Sequence, residues 1–170
     1  MGDENFNQTV VLMLQHSDEG ALGVVLNRPS GRSVAEVWEM VGQSDCVSDD
    51  PVYVGGPVTG PLIAVHTNDL FSEEKIFQGV FFAAQRNYLE HVVADGDDRY
   101  KLFSGYAGWG PGQLEDEVAA GAWYSLDADY EFVFNADEHD LWPTAVRKIG
   151  RNFLADTLNI AHVPDDPSLN

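Results

Sequence analysis

Residues 105–117 read GYAGWGPGQLEDE, and they hold the chain's most suggestive set of chemical groups. A strand, a glycine turn and a helix start can bind an anion, because free amides and the helix dipole both face it. Gly110 followed by Pro111 suits such a start, with the proline at the first helical position. Yet the spacing is neither the dinucleotide fingerprint GxGxxG nor a P-loop, and no lysine or serine stands where a phosphate loop needs one. Glu115, Asp116 and Glu117 fall in the first turns, where they satisfy the dipole and repel an anion. The same residues also make a tight corner. Its glycines permit positive φ, Trp109 packs beneath, and Gln113 or Glu115 bonds back to loop amides.

A second glycine corner, VYVGGPV, lies at residues 52–58. Gly55 and Gly56 allow a sharp turn or a close backbone approach. If the two corners meet at one sheet edge, Gly55, Gly56, Gly108, Trp109, Gly110, Gln113 and Glu115 floor a shared cleft. Asn27, at the end of an apolar run, would then supply it with a polar group. Other chemistry finds less support. His16 and His66 end apparent strands, and His66 with Asp69 and His139 within DEHD have carboxylates nearby. None makes HExxH or another strong metal pattern, so no metal and no cofactor is assigned. Ser104 lacks the GxSxG elbow and an assignable base. Acid–base pairs cannot be chosen among 28 carboxylates without geometry. Cys46, the single cysteine, sits in a polar loop between acids, a poor setting for a nucleophile. Trp109, Trp123 and Trp142 are expected in the core, with a partner surface as the other reading.

The elements must position these groups within 170 residues, enough for one domain with a real core. Net charge is −19, and the few bases cluster only at Arg147, Lys148 and Arg151. That disfavours direct DNA binding, which draws on Lys and Arg to neutralise phosphates. No apolar run approaches the ~20 residues of a membrane span. No signal peptide is visible, and Phe6 stands where myristoylation wants a hydroxyl residue, so a cytoplasmic location is expected.

Thr9–His16 reads as a strand buried on both faces, paired across SDEG with a strand at Ala21–Asn27. Arg28–Gly31 ends it. Ser33–Val41 is an amphipathic helix, with Ser33 and Glu36 at capping-box spacing and Val37 and Trp38 in the core. A strand from Pro51 runs into the second corner, and Leu62–His66 is another. Asn68–Gln78 is polar, with a turn of helix after Ser72. Gly79–Ala84 reads as strand, Gln85–Asp95 as helix and Tyr100–Tyr106 as strand. The first corner opens a helix over Pro111–Ala120, closed by Gly121. Ala122–Leu126 reads as strand. Tyr130–Phe134 alternates like a strand but can also open a helical turn. Asp140 caps a helix that Gly150 closes, and residues 154–170 read as a partly frayed tail. Irregular alternation of strands and helices predicts an α+β fold with a mixed sheet inside helices.

The landmarks HSDEGALGVVLNRP, VYVGGPV, FSGYAGWGPGQLEDEVAAGAW and DLWPTAVRKIG occur in that order. Together they resemble the AlgH/YqgE family of bacterial proteins, from Phe6 to Gly150. The resemblance implies a single α+β domain around a bifurcated sheet with barrel-like character. It implies no established biochemical activity, though some members carry a transcriptional-regulator label. Family members usually begin with an apolar strand ahead of the segment matching Gly2–Gln8, so here that strand is either missing or trimmed away. If it is missing, a neighbouring strand has an open edge that invites pairing with another chain, and a homodimer is possible. The favoured expectation is a binding or regulatory module that works through a protein partner, with any effect on transcription indirect. The alternative is a small-molecule-binding or hydrolytic enzyme with its cleft at the glycine corners. An enzyme needs a pocket with convergent polar groups and perturbed titratable residues; a module needs an exposed apolar surface.

Overall fold

The chain begins its sheet with a hairpin, β1 (Val11–Ser17) and β2 (Gly20–Val25), paired antiparallel with Val11 opposite Val25. The computed structural model describes residues 6–41, 46–94 and 98–158. Burial along β1 is one-sided: Leu12 and Leu14 enter the core, whereas Val11 and Met13 are only partly covered. The expectation of a strand buried on both faces is thus corrected; only its inner side, at Leu12 and Leu14, joins the core. Arg28–Gly31 does not end the strand region either. Pro29 opens a short strand β3 (Pro29–Ser33), where the first position of an edge strand tolerates a missing amide.

The capping box closes as expected. Ser33 Oγ accepts from Glu36 N at 3.3 Å and Glu36 returns the bond to Ser33 N at 2.9 Å, starting α1 (Val34–Met40). Strand β4 (Pro51–Val54) follows, then β5 (Val58–His66). The polar stretch after Asn68 forms a strand and no helix: β6 (Glu74–Phe77) pairs antiparallel with β7 (Val80–Ala83). Cross-strand pairing overrides the low strand propensity of its charged residues. Helix α2 (Arg86–Ala94) follows.

The long strand β8 (Tyr100–Trp109) organises everything else. Its first part lies between β4, parallel at Val52–Val54, and β5, antiparallel. Its last part pairs with β2 instead, Trp109 opposite Ala21. One edge of β8 therefore changes partner, and Gly105, at φ +75°, sits where it does so. This fork is the bifurcation of the sheet. The main path runs β1-β2-β8-β5-β7-β6, and the two end strands come back together, with Gln15 Nε2 2.5 Å from Glu74 Oε2. The result is a nearly closed, barrel-like mixed sheet, surrounded among the described residues by five helices.

The GYAGW segment is strand, so the first corner lies later than its glycines suggest. Pro111 is in the turn, and Gly112 at φ +73° is the N-cap of α3 (Gln113–Ala119). Gly121 closes α3 as expected: its N–H and that of Ala122 donate to Val118 O and Glu117 O at 3.0 and 2.9 Å, a Schellman arrangement. Ala122–Leu126 is not a strand; it is irregular chain with no sheet partner among the described residues. Tyr130–Phe134 is a helix, α4, because Asp129 caps it by accepting from Phe132 N at 2.7 Å. Helix α5 (Glu138–Leu158) begins and ends beyond expectation. Asp137, not Asp140, accepts the first amide bond, from His139 N at 2.8 Å, and the helix runs through Gly150. His139 is therefore helical, although exposed. Helix also covers residues 154–158 of the expected tail; residues 159–170 lie outside the described residues.

Two cores result, because β4, β5 and β8 are covered on both faces. Tyr53, Ile63 and Phe103 face inwards to Leu12, Val24, Phe132 and Leu141, while Val52, Ala64 and Leu102 pack beneath Trp38, Leu89 and Val92.

Candidate functional site

The glycines of the two corners do meet, but backbone fills the space between them. A Cβ on Gly55 would stand 2.2 Å from Gly105 O, and one on Gly56 2.2 Å from Tyr106 C. These residues let β4 turn tightly across the fork of β8. Gly108, further along β8, pairs with Leu22. Asn27 is a clamp: its Oδ1 accepts from Val10 N at 3.0 Å and its Nδ2 donates to Gln8 O at 2.9 Å, fixing the chain ahead of β1. None of Asn27, Gly55, Gly56, Gly108 and Gly110 lines either cavity described below.

The other predicted residues gather around α3. Gly110 N donates to Gln113 Oε1 at 3.1 Å, the expected return bond. Glu115 Oε1 lies 2.5 Å from His16 Nε2, tying α3 to β1 at the surface. Glu117, read from sequence only as a first-turn acid, is the hub. Its carboxylate accepts from Trp123 Nε1 at 2.7 Å, Gln113 Nε2 at 2.8 Å and Trp109 Nε1 at 2.9 Å. Those bonds, Trp123's first, hold the Glu117 carboxyl below the usual carboxylate range against the opposing pull of burial. With both indoles so fixed, Phe6 packs at 5.3 Å from Trp123 and 6.3 Å from Trp109, ring centre to ring centre.

Beside this aromatic cluster opens a groove of about 640 Å³. Its walls come from Val10 and the start of β1 (Val11, Leu12, Met13), α3 (Leu114, Val118), the chain at 122–128, Phe132 of α4, and α5 (Trp142, Val146, Ile149). Among the described lining residues only Asp127 is charged. The groups with shifted pKa values (Tyr53, His66, Tyr100, Lys101, Glu115, Glu117 and Asp129) all lie outside it. Trp109 is buried as expected, while Trp123 and Trp142 are half-exposed at the groove.

A smaller, polar cavity of about 230 Å³ lies between Asp50, Tyr53, Arg99, Tyr100 and Lys101. Burial, helped by Glu138, pushes the Tyr53 hydroxyl up to about 12, so it stays a phenol at neutral pH. Burial lowers the Lys101 ammonium, which sits 4.8 Å above the Tyr53 ring, on its face and not at its hydroxyl. His66 is fully buried in the body of the sheet with both ring nitrogens unbonded among the described residues; the backbone of Asn68 approaches without hydrogen-bond geometry. Burial lowers its pKa and keeps it neutral, against the pull of Asp98. Among the described residues no group of three His, Cys, Asp or Glu is placed to hold a metal. No helix there is long and apolar enough to cross a membrane.

The model of the DUF179, AlgH-like family matches residues 1–154. The chain belongs to the AlgH-like family. It is 33% identical over 174 positions to a UPF0301 protein of Chlorobium limicola, covering 99% of this chain and 89% of that one. It is 37% identical over 179 positions to a UPF0301 protein of Streptomyces avermitilis, covering 100% and 90%. Its fold matches the solution structure of AlgH from Pseudomonas aeruginosa at a TM-score of 0.75 and 30% identity, over 96% of this chain and 90% of that one. A crystal structure of DIP2367 from Corynebacterium diphtheriae shares the fold at a TM-score of 0.65 and 23% identity, over 87% and 81%.

In this AlgH-like chain the GYAGWGPGQLEDE landmark thus builds one wall of a groove. Phe6 and Glu117 were not read as parts of a site, and Trp123 was expected in the core with a partner surface as the other reading. The spacing of Gln113 and Glu117, one helical turn apart, was the signal that could have paired them.

Proposed function

We propose that the protein is a binding module of the cytoplasm that takes a protein partner in the groove between β1, α3 and α5. One observation carries this reading: the groove is apolar and aromatic, and among the described residues no titratable group with a displaced pKa lines it. Catalysis draws on such groups, whereas recognition draws on Trp, Phe and aliphatic surface. The alternative, an enzyme cleft at the glycine corners, is disfavoured because backbone atoms occupy that space. The charge of −19 opposes direct contact with DNA, so an influence on transcription would pass through the partner.

The test places a photo-crosslinking side chain at Val118 or Val146, both exposed on the groove's rim, and at Glu90 on α2 as control. Partner adducts are expected from the groove positions only. Val118→Asp with Val146→Asp should abolish them while leaving the melting midpoint nearly unchanged. Adducts from Glu90 alone, or capture that persists in the double variant, would overturn the reading.

A further inference from the structure

The groove follows the edge of a strand and does not lie on a face. Val11 and Met13 pack beside Gly23 on the outer side of β1, while Leu12 lies in the inner core. All three line the groove. Successive strand residues point to opposite faces, so a space that touches both sets must run along the strand's edge. Hydrogen bonding agrees. Leu26 N donates to Val10 O at 2.9 Å, so Val10 and Leu12 turn their backbone polar groups towards β2. Val11 and Met13 turn theirs the other way, into the groove. Val25, opposite Val11, likewise points its N–H away from β1, to Gly55 O at 2.8 Å. Among the described residues, β1 pairs in the sheet only with β2. The seam between the two end strands is bridged at Gln15 and Glu74, and the groove runs along β1 as far as Met13.

We propose that this seam accepts an extended apolar strand from a partner protein, added to the free edge of β1. The proposal rests on the reading of the groove as the binding surface and names what enters it. Backbone pairing with Val11 and Met13 would set the register. Alternate side chains would then divide, one set entering beside Leu12, Leu26 and Phe132, the other beneath Trp109 and Trp123. A helix or a small apolar molecule fits less well, since either leaves the outward amides and carbonyls of Val11 and Met13 buried without partners. The chain's acidity adds that flanking lysines on the strand would assist its approach.

The probe is a fluorescent peptide of alternating valine and threonine, flanked by lysines, titrated against the full chain. Saturable binding is expected, with exchange of the Val11 and Met13 amides slowed at least about tenfold in the complex. Val11→Pro removes one outward amide and spares the β2 ladder, as an edge position allows. It should weaken binding about tenfold, the cost of one lost hydrogen bond. A probe with a central proline should not bind. No saturation, saturation without protection at Val11 and Met13, or equal binding of the proline probe would each overturn the proposal. So would protection of those amides without probe in a chain that self-associates, since the occupant is then a second copy. Should Val11→Pro fail to fold, amide exchange in the unaltered chain still decides. If groove crosslinking to a partner succeeds while the strand probe fails, the binding-module reading stands and the strand falls.

Discussion

The fork and the seam are opposite solutions to one problem: how a twisted sheet changes partner. At the fork, β4 and β2 share one edge of β8, and Gly55, Gly56 and Gly105 let three backbones approach until no space remains. At the seam, β1 and β6 meet at Gln15 and Glu74, and large aromatics surround the space that is left along β1. Glycine therefore marks closeness here, and tryptophan marks room. A glycine corner in a sequence suggests a cradle, but without a helix N-terminus of free amides or a matching cation it serves just as well to exclude atoms.

The largest effect expected in the molecule tests the closed side. Gly55→Val places a Cβ 2.2 Å from Gly105 O, a backbone atom with nowhere to move. The cost should be about 4 kcal/mol, at the upper end for single substitutions. Denaturant unfolding would show it, and a loss below about 1 kcal/mol would mean that the fork has more freedom than its packing suggests.

The next effect also belongs to the packed body. His66 is neutral and buried, with its pKa lowered by burial. Its unfolded value, near 6.5, is the higher of the two, so the unfolded chain binds the extra proton. Its contribution is complete above that pH. It declines as pH falls from about 6.5 towards the folded value, by up to ~1.4 kcal/mol per pH unit. His66→Phe should flatten this part of the stability profile measured by urea denaturation. An unchanged slope would assign the acid sensitivity to other groups.

Much of the closed side was legible in the sequence, and little of the open side was. The Ser33–Glu36 capping box, the β1–β2 hairpin and the C-terminal cap at Gly121 follow from local rules, and each stands where it was expected. Local rules failed where a neighbour decided the outcome. Residues Ala122–Leu126 read as a strand, but they form no ladder with any described neighbour. Glu74–Phe77 looks unlike a strand, yet Val80–Ala83 supplies a partner. Asn27 was read as a polar group for a cleft; its amide instead satisfies Val10 N and Gln8 O. The groove is assembled from residues 6 to 150 and exists because one edge of β1 has no neighbour among the described residues. No window of sequence contains that fact.

On the open side, Glu117 sharpens the comparison, because one carboxylate aligns the two indoles that wall the seam. Glu117→Gln keeps the shape but replaces a charged acceptor with a neutral amide, at a cost of about 1 kcal/mol. The folded pKa is depressed, so its contribution is present above the unfolded value and lost as pH falls through the lower folded value. The loss therefore lies in acid, below about pH 4. Tryptophan emission should shift over that range in the unaltered chain and remain flat in Glu117→Gln. Identical acid profiles would show that the indoles are held by packing with Phe6 alone.

The smallest effect separates the wall of the seam from its surface. Glu115 is exposed, and its bond to His16 bridges α3 and β1 at the surface, where screening and side-chain entropy cancel most of an ion pair. Glu115→Gln should leave the denaturation midpoint unchanged within error, at low and at high salt. Glu117, two residues along the same short helix and so on a different side of it, gives the contrast that the measurement reads. If Glu115→Gln destabilised as much as Glu117→Gln, α3 would be held to the sheet from its outer side. The aromatic wall would then owe its position to the surface latch and not to the carboxylate between its indoles.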